Sequence, residues 1–402
     1  MSGVGQSRDD SGVKMVKLGD VLQFASVPER ISNPGEERFV TVKLNCGGAI
    51  ERRIGSGKTP VPFTGYRVRA GQFIYSRIDA RNGAFAILPD SLDGAVVSKD
   101  FPVFEIATSL IDARYLRHFF MSGRLQGVIR TRSRGATNRQ RIKEDELLGF
   151  TIFLPSLSEQ QRIAEILDRA DKIRTKRRQQ RAHLDTLTQS IFHDMFGDPA
   201  INQSNFPLVP IQSLATKLSD GPFGSNLKSS HYRPSGVPVI RLQNIGVGRF
   251  IEAESAFVAE DYYFTLGKHD CRPGDVLVGT LGEPNLRACI QPEWLPLALN
   301  KADCLQLRVD QGRAEPEYAC WLLNMPGTLK LAHALMMGQT RSRISMGRLR
   351  ELRVPLPPLE LQREFAERVH WVSEQRAAVE RALAADDELF ASLQSRAFRG
   401  EL

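Results

Sequence analysis

The residues with the clearest chemical potential are arginines. Between Gly123 and Lys143 lie Arg124, Arg130, Arg132, Arg134, Arg139, Arg141 and Lys143, with no acid among them. Thr131, Ser133, Thr137, Asn138 and Gln140 fill the gaps. Arg, Asn and Gln can hydrogen-bond base edges in pairs, and Ser, Thr and Arg hold phosphates. A quieter version follows later in the chain: Gly338-Gln339-Thr340-Arg341-Ser342-Arg343-Ile344, then Arg348 and Arg350. One such run alone could be a solvated loop. Its recurrence at a corresponding place favours contact with nucleic acid.

Smaller polar clusters sit between apolar runs. Arg77, Arg81 and Asn82 lie in one. Ser225, Asn226, Lys228 and His231 lie in another. Arg241, Gln243 and Asn244 follow Val239-Ile240, and Asn285 and Arg287 follow Glu283. All are candidate DNA contacts. A third basic run, 172–181, holds six Lys or Arg in ten residues and reads best as an exposed helix face.

Catalytic patterns are missing. There is no Gly-rich phosphate loop, no His-Glu-x-x-His and no Asn-Pro-Pro-aromatic methyltransferase loop. Pro89-Asp90 could open a nuclease pattern, but 91–100 supplies no (D/E)-x-K. Cys46, Cys271, Cys289, Cys304 and Cys320 form no Cys-x-x-Cys pair, which argues against a zinc knuckle or a disulfide framework. No catalytic residue, metal site or cofactor site is expected.

The elements that must position these residues are written twice. Shifted by about 202 positions, the 402-residue chain matches itself weakly throughout. Arg69-Ala-Gly-Gln falls on Arg272-Pro-Gly-Asp. Leu154-Pro-Ser-Leu falls on Leu356-Pro-Pro-Leu. Gln160, Leu187 and Phe196 fall on Gln362, Leu389 and Phe398. Each copy opens with a strand-rich part whose short β-branched and aromatic runs, such as 39–44, 72–75, 237–242 and 275–278, are punctuated by Gly, Pro and Asn. The Arg-Ala-Gly-Gln and Arg-Pro-Gly-Asp tetrapeptides read as turns feeding buried strands. Short helices are expected over 113–122 and 317–323.

Each copy then closes with a long helix. Pro155 and Pro357 stop any helix from running in from upstream, with Ser158 the expected N-cap. From there to Met195 there is no Gly or Pro, about 38 residues or roughly 55 Å of helix. Apolar residues recur at heptad spacing: Ile163, Ile166, Ala170, Ile173, Leu184, Leu187 and Ile191, then Phe365, Val372, Val379, Ala382, Leu389 and Leu393. Such helices need a partner, and the economical one is each other, antiparallel. Arg177, Gln180, Gln375 and Asp386 interrupt the seam and argue for a register-specifying interface or a further partner.

Composition agrees with a soluble globular protein of two or three domains: 42% hydrophobic, 25% charged, net charge +8. That balance permits a polyanionic partner. No apolar run is long enough for a membrane span. The Ser/Gly/Asp-rich start, 1–15, reads as a flexible tail of a cytoplasmic protein.

This arrangement resembles the specificity subunit of type I restriction-modification systems. The resemblance is carried by Leu154–Gln160 and Leu356–Gln362, each opening a long helix, by Gly-x-Thr…Arg-Ile at 135–142 and 338–344, and by Asp220-Gly-Pro-Phe-Gly-Ser. It implies an α+β fold with two tandem target-recognition domains, 16–153 and 199–355. Each is followed by a conserved helical spacer, 154–198 and 356–402, and the spacers pack as an antiparallel coiled coil. It also implies a non-catalytic chain that reads a bipartite target in double-stranded DNA, one half per domain. Two methylation subunits dock on such a chain, restriction subunits join them, and these partners carry the S-adenosylmethionine, ATP and Mg. Divergence between the copies implies an asymmetric target. The alternatives are a recognition module of another restriction-methylation assembly, or a coiled-coil scaffold that does not bind DNA.

Overall fold

The computed structural model describes residues 15–52, 61–132, 141–282, 284–333 and 343–402; of Arg132 and Ser225 only the backbone is described. The expected N-terminal tail therefore lies outside the described residues except for Met15, which opens the strand Met15–Lys17 and is not tail; Arg134, Thr137, Asn138, Arg139, Gln339, Thr340 and Arg341 also lie outside them. Two compact units emerge. One holds the chain up to Arg178 together with Arg381–Leu402, and the other holds Gln179–Glu380.

The first unit is built on a four-stranded antiparallel sheet, in the order Leu22–Phe24, Val103–Ile106, Phe73–Tyr75, Phe85–Ile87. The second unit has the same sheet in the same order: Ala215–Ser219, Cys304–Val309, Val276–Gly279, Ala288–Ile290. Each central strand follows one of the two matching tetrapeptides. Gly71 (φ 79°) and Gly274 (φ 83°) take the left-handed conformation that the turn requires. Gln72 Oε1 accepts the Arg69 N–H at 2.7 Å, and Asp275 Oδ2 accepts the Arg272 N–H at 2.8 Å. The strands that follow, Phe73–Tyr75 and Val276–Val278, are fully buried.

The second sheets differ. The first unit adds a three-stranded sheet, Pro28–Ile31, Phe63–Arg67, Val96–Ser98, and a hairpin Val40–Val42/Ala49–Glu51. The second unit adds five short strands, including a parallel pairing of Val239 with Leu299. The copies share the four-stranded sheet and its turns, and a two-stranded sheet, Met15–Lys17 with Thr151–Phe153 and Leu208–Pro210 with Arg353–Pro355; they diverge in the strands added beside these.

The expected short helices form as Ala113–Met121 and Pro316–Asn324. The long helices run Leu157–Phe196 and Leu359–Ala397. In the first unit the beginning of the first long helix packs on the end of the second: Ile163, Ala164 and Leu167 share a core with Phe390, Ala397 and Phe398. In the second unit the opposite ends meet, with Phe192 and Phe196 against Phe365. The pair is thus antiparallel.

Three sequence expectations are corrected. The first helix begins at Leu157, so Ser158 lies inside it; the capping oxygen is Ser156 Oγ, which accepts the Glu159 N–H at 3.3 Å. Ile173 (49% exposed) and Leu389 (55% exposed) lie off the seam. Leu383 and Phe390 hold the buried positions near the latter, because a straight helix drifts from a strict heptad. Part of the 172–181 basic run is interfacial. Arg174 Nε lies 2.6 Å from Asp387, Arg177 pairs with Asp386, and the Arg174 guanidinium covers the Phe390 ring at 4.1 Å.

Candidate nucleic-acid interface

In the first unit three of the polar segments converge on one node. The Arg77 N–H donates to the Asp100 carbonyl at 2.9 Å, and the Ile142 N–H donates to the Arg77 carbonyl at 3.1 Å. Arg141 Nη2 lies 3.0 Å from Asp100 Oδ1. The Arg77 guanidinium pairs with Glu144. Arg81 and Asn82 lie in the adjoining single turn Ala80–Asn82, where Asn82 Nδ2 donates to Asp79 Oδ1 at 3.3 Å. Arg130 is exposed on the helix Arg124–Arg132, which runs up to the basic segment.

The second unit repeats the node about 203 positions on. The Thr280 N–H and Oγ1 donate to the Asp303 carbonyl at 3.0 and 3.1 Å, and Arg343 Nε lies 2.9 Å from Asp303 Oδ1. Arg343 bridges the backbone of Leu281, and its guanidinium lies 5.2 Å from the centre of the half-exposed Phe223 ring. That places the Asp220–Ser225 tract beside the segment that follows the second basic run. Gly221 makes the approach possible: a Cβ there would sit 2.1 Å from the Lys301 carbonyl carbon.

Arg287 binds two further polar segments together. Its guanidinium donates to the carbonyls of Ile245 at 2.7 Å, Leu242 at 3.0 Å, Leu281 at 3.0 Å and Pro284 at 3.2 Å. Asn244 is buried, with Oδ1 accepting the Arg241 N–H at 2.9 Å and Nδ2 donating to Ile251 O at 3.1 Å. Asn285 is buried as well, and its Oδ1 accepts the Leu286 N–H at 2.9 Å. Arg287, Asn244 and Asn285, candidate DNA contacts by sequence, make hydrogen bonds to the backbone here and so shape the loops. Gln243 is exposed, its Nε2 reaching Glu254 O at 3.3 Å, and Arg241 donates to the same carbonyl.

Asn226, Lys228 and His231 form a separate group. Asn226 and Lys228 are exposed, and the His231 ring lies 4.5 Å from that of Tyr262, whose hydroxyl donates to the Asn226 carbonyl.

Sequence reasoning missed Asp100, Asp303, Thr280 and Phe223. The carboxylates were findable, since Asp100 and Asp303 match at an offset of 203. Nucleophilic chemistry has little footing here. Cys289 and Cys304 are buried, and burial pushes both thiols up to about 12. Among the described residues no three His, Cys, Asp or Glu side chains are grouped to hold a metal ion, and no helix is long and apolar enough to cross a membrane.

Comparison with known proteins agrees with this geometry. Residues 10–184 match the family described as type I restriction modification DNA specificity domain. The type I restriction enzyme MjaVIII specificity subunit of Methanocaldococcus jannaschii is 22% identical over 287 residues, covering 68% of this chain and 66% of its own length, just under two thirds. Among solved structures, a chain from a study of complex assembly and conformational transition in a type I restriction-modification system superposes with a TM-score of 0.58 at 20% identity, covering 96% of this chain and 98% of its own. The type I restriction-modification S subunit from M. genitalium gives 0.54 at 14% identity, covering 98% of each chain. In its duplicated sheet and antiparallel helix pair the chain has the fold of these solved structures, and over residues 10–184 it is similar to the type I restriction modification DNA specificity domain.

Proposed function

We propose that this chain is the sequence-specific DNA-recognition subunit of a type I restriction-modification complex. It reads a bipartite, asymmetric target in double-stranded DNA and docks methylation and restriction subunits. The chain itself is non-catalytic; S-adenosylmethionine, ATP and Mg belong to the partner subunits. The observation that carries this reading is the repeated node. An arginine paired with an aspartate directly follows an Arg-rich segment in each unit: Arg141 with Asp100, and Arg343 with Asp303. One protein surface built twice suits a target read in two pieces. Asymmetry of the target is supported by the differing second sheets and by Arg77 standing where the other copy has Thr280. The half-exposed Arg141 and Arg343, the exposed Arg130 and Gln243, and the group Asn226, Lys228 and His231 are the described side chains best suited to contact DNA.

The test is co-expression with type I methylation subunits, followed by DNA-binding and methylation assays across salt concentrations. The expected result is weak binding by the chain alone and site-specific methylation by the complex. Binding should decline with salt as phosphate contacts are screened. A chain that forms the complex but adds no sequence preference would instead be a scaffold.

A further inference from the structure

The two arginine-aspartate pairs carry more than a general basic surface. Arg141 is half-exposed and held by Asp100 at 3.0 Å; Arg343 is partly exposed and held by Asp303 at 2.9 Å. Both aspartates lie in the turn that leads into the strand beside the central one, Val103–Ile106 in one unit and Cys304–Val309 in the other. The Asp100 carbonyl accepts the N–H of Arg77, two residues past the strand Phe73–Tyr75, and the Asp303 carbonyl accepts the N–H of Thr280, the residue after the strand Val276–Gly279. Each aspartate is therefore fixed at the backbone by a central strand while its side chain reaches an arginine. A guanidinium has five N–H donors in a planar fork, and one carboxylate contact engages one edge of it. An arginine gripped on one edge keeps its plane and direction. It then recognises a base or phosphate without first giving up the rotamer freedom of a long side chain.

We propose that Arg141 and Arg343 are equivalent DNA contacts, one for each half of the target, and that Asp100 and Asp303 are the positioning residues that orient them. In the second unit Phe223 adds a further wall beneath Arg343. This inference rests on the DNA-reading assignment above. It goes beyond it by predicting that two acidic residues, which repel DNA if considered alone, are needed for discrimination, each for its own half-site only.

The experiment uses the full complex with its methylation subunits. Its probes are duplexes carrying the mapped wild-type target or that target with single-base changes in one half or the other. Asp100→Asn and Asp303→Asn keep size and shape. Each should lower methylation of the wild-type target by about twofold to fivefold, the order expected when a partly exposed ion pair is lost. Each should flatten discrimination in one half-site, a different half for each variant. Arg141→Ala combined with Asp100→Asn should be no worse than Arg141→Ala alone, since the aspartate acts through the arginine. The exchange Arg141→Asp with Asp100→Arg separates roles: a purely structural pair would be restored by it, whereas a DNA contact would not. Normal discrimination in the exchanged variant, or unchanged half-site profiles in both Asn variants, would overturn the inference while leaving DNA reading intact. A wild-type complex without sequence preference would instead overturn the DNA-reading assignment itself.

Discussion

Gln160 and Gln362 make the same hydrogen bonds in the two units. Each side-chain carbonyl accepts the N–H that precedes a short helix, from Asp112 at 2.8 Å and from Glu315 at 3.0 Å. Each amide donates to the proline carbonyl ahead of its own long helix, Pro155 at 2.9 Å and Pro357 at 2.8 Å. Each also reaches one more carbonyl, Leu110 at 3.0 Å and Arg313 at 3.4 Å. Both are fully buried. The glutamine of the Leu-Pro-x-Leu-x-x-Gln tract is thus a latch between a strand-rich part and a long helix. Replacing either with Ala strands buried donors and acceptors and should destabilise the protein by about 2–4 kcal/mol. Urea denaturation measures this, and a change under about 0.5 kcal/mol would show that the latch is dispensable.

The helix pair carries its own register marks. Arg177 with Asp386, and Arg174 and Arg178 with Asp387, join the middle of the first long helix to the second half of the other. These side chains are partly solvated, so each pair should contribute only about 0.2–1 kcal/mol. Arg177→Asp should destabilise, and adding Asp386→Arg should recover most of the loss. The recovery should shrink at high salt. Additive losses in a double-mutant cycle would show that the two residues do not interact.

A pH dependence follows from His118. The ring is fully buried on the helix Ala113–Met121, with Nε2 2.8 Å from Asp168 Oδ1. Burial holds its pKa below the ordinary histidine value, and the Asp168 bond offsets that only partly. An unfolded histidine titrates near about 6.5. Below that pH the unfolded chain takes up a proton that the folded chain resists, so stability is complete above about 6.5 and falls on acidification. His118→Gln should flatten this slope in thermal melts between about pH 5 and 7. It should not abolish it, because burial lowers His269 in the same direction. An unchanged slope would contradict the assignment.

Arg287 is a frame residue for the second unit. Its guanidinium gathers four carbonyls from two polar loops, a pattern that the three donors of Lys cannot match in one plane. Arg287→Lys should cost about 1–3 kcal/mol of stability. In the complex it should impair reading of one half-site and spare the other. Equal damage to both halves would place its effect elsewhere.

Features dictated by local chemistry were legible in the sequence. The Gly/Pro-free stretches gave the long helices, and the two tetrapeptides gave the turns at Gly71 and Gly274. Where two residues could serve equally, the sequence was mute. Ser156 and Ser158 both precede helical sequence, and only the backbone path decides that Ser156 caps. Ile173 and Leu389 looked like seam residues because period 3.5 and period 3.6 separate only slowly along a helix. At the candidate interface, arginine content marked candidate segments. It could not tell the outward-facing Arg141 from Arg287, whose donors end on backbone carbonyls of its own loop and of a loop more than forty residues away. Asp100 and Asp303 look like ordinary surface acids until the sheet brings each beside its arginine.

The most direct test of the central claim is methylation mapping of genomic DNA from cells expressing this chain with type I methylation subunits. The account predicts one bipartite motif with two different half-sites separated by a fixed unread spacer, and loss of that motif when the chain is omitted. A contiguous or perfectly symmetric motif, or the same motif without the chain, would contradict it.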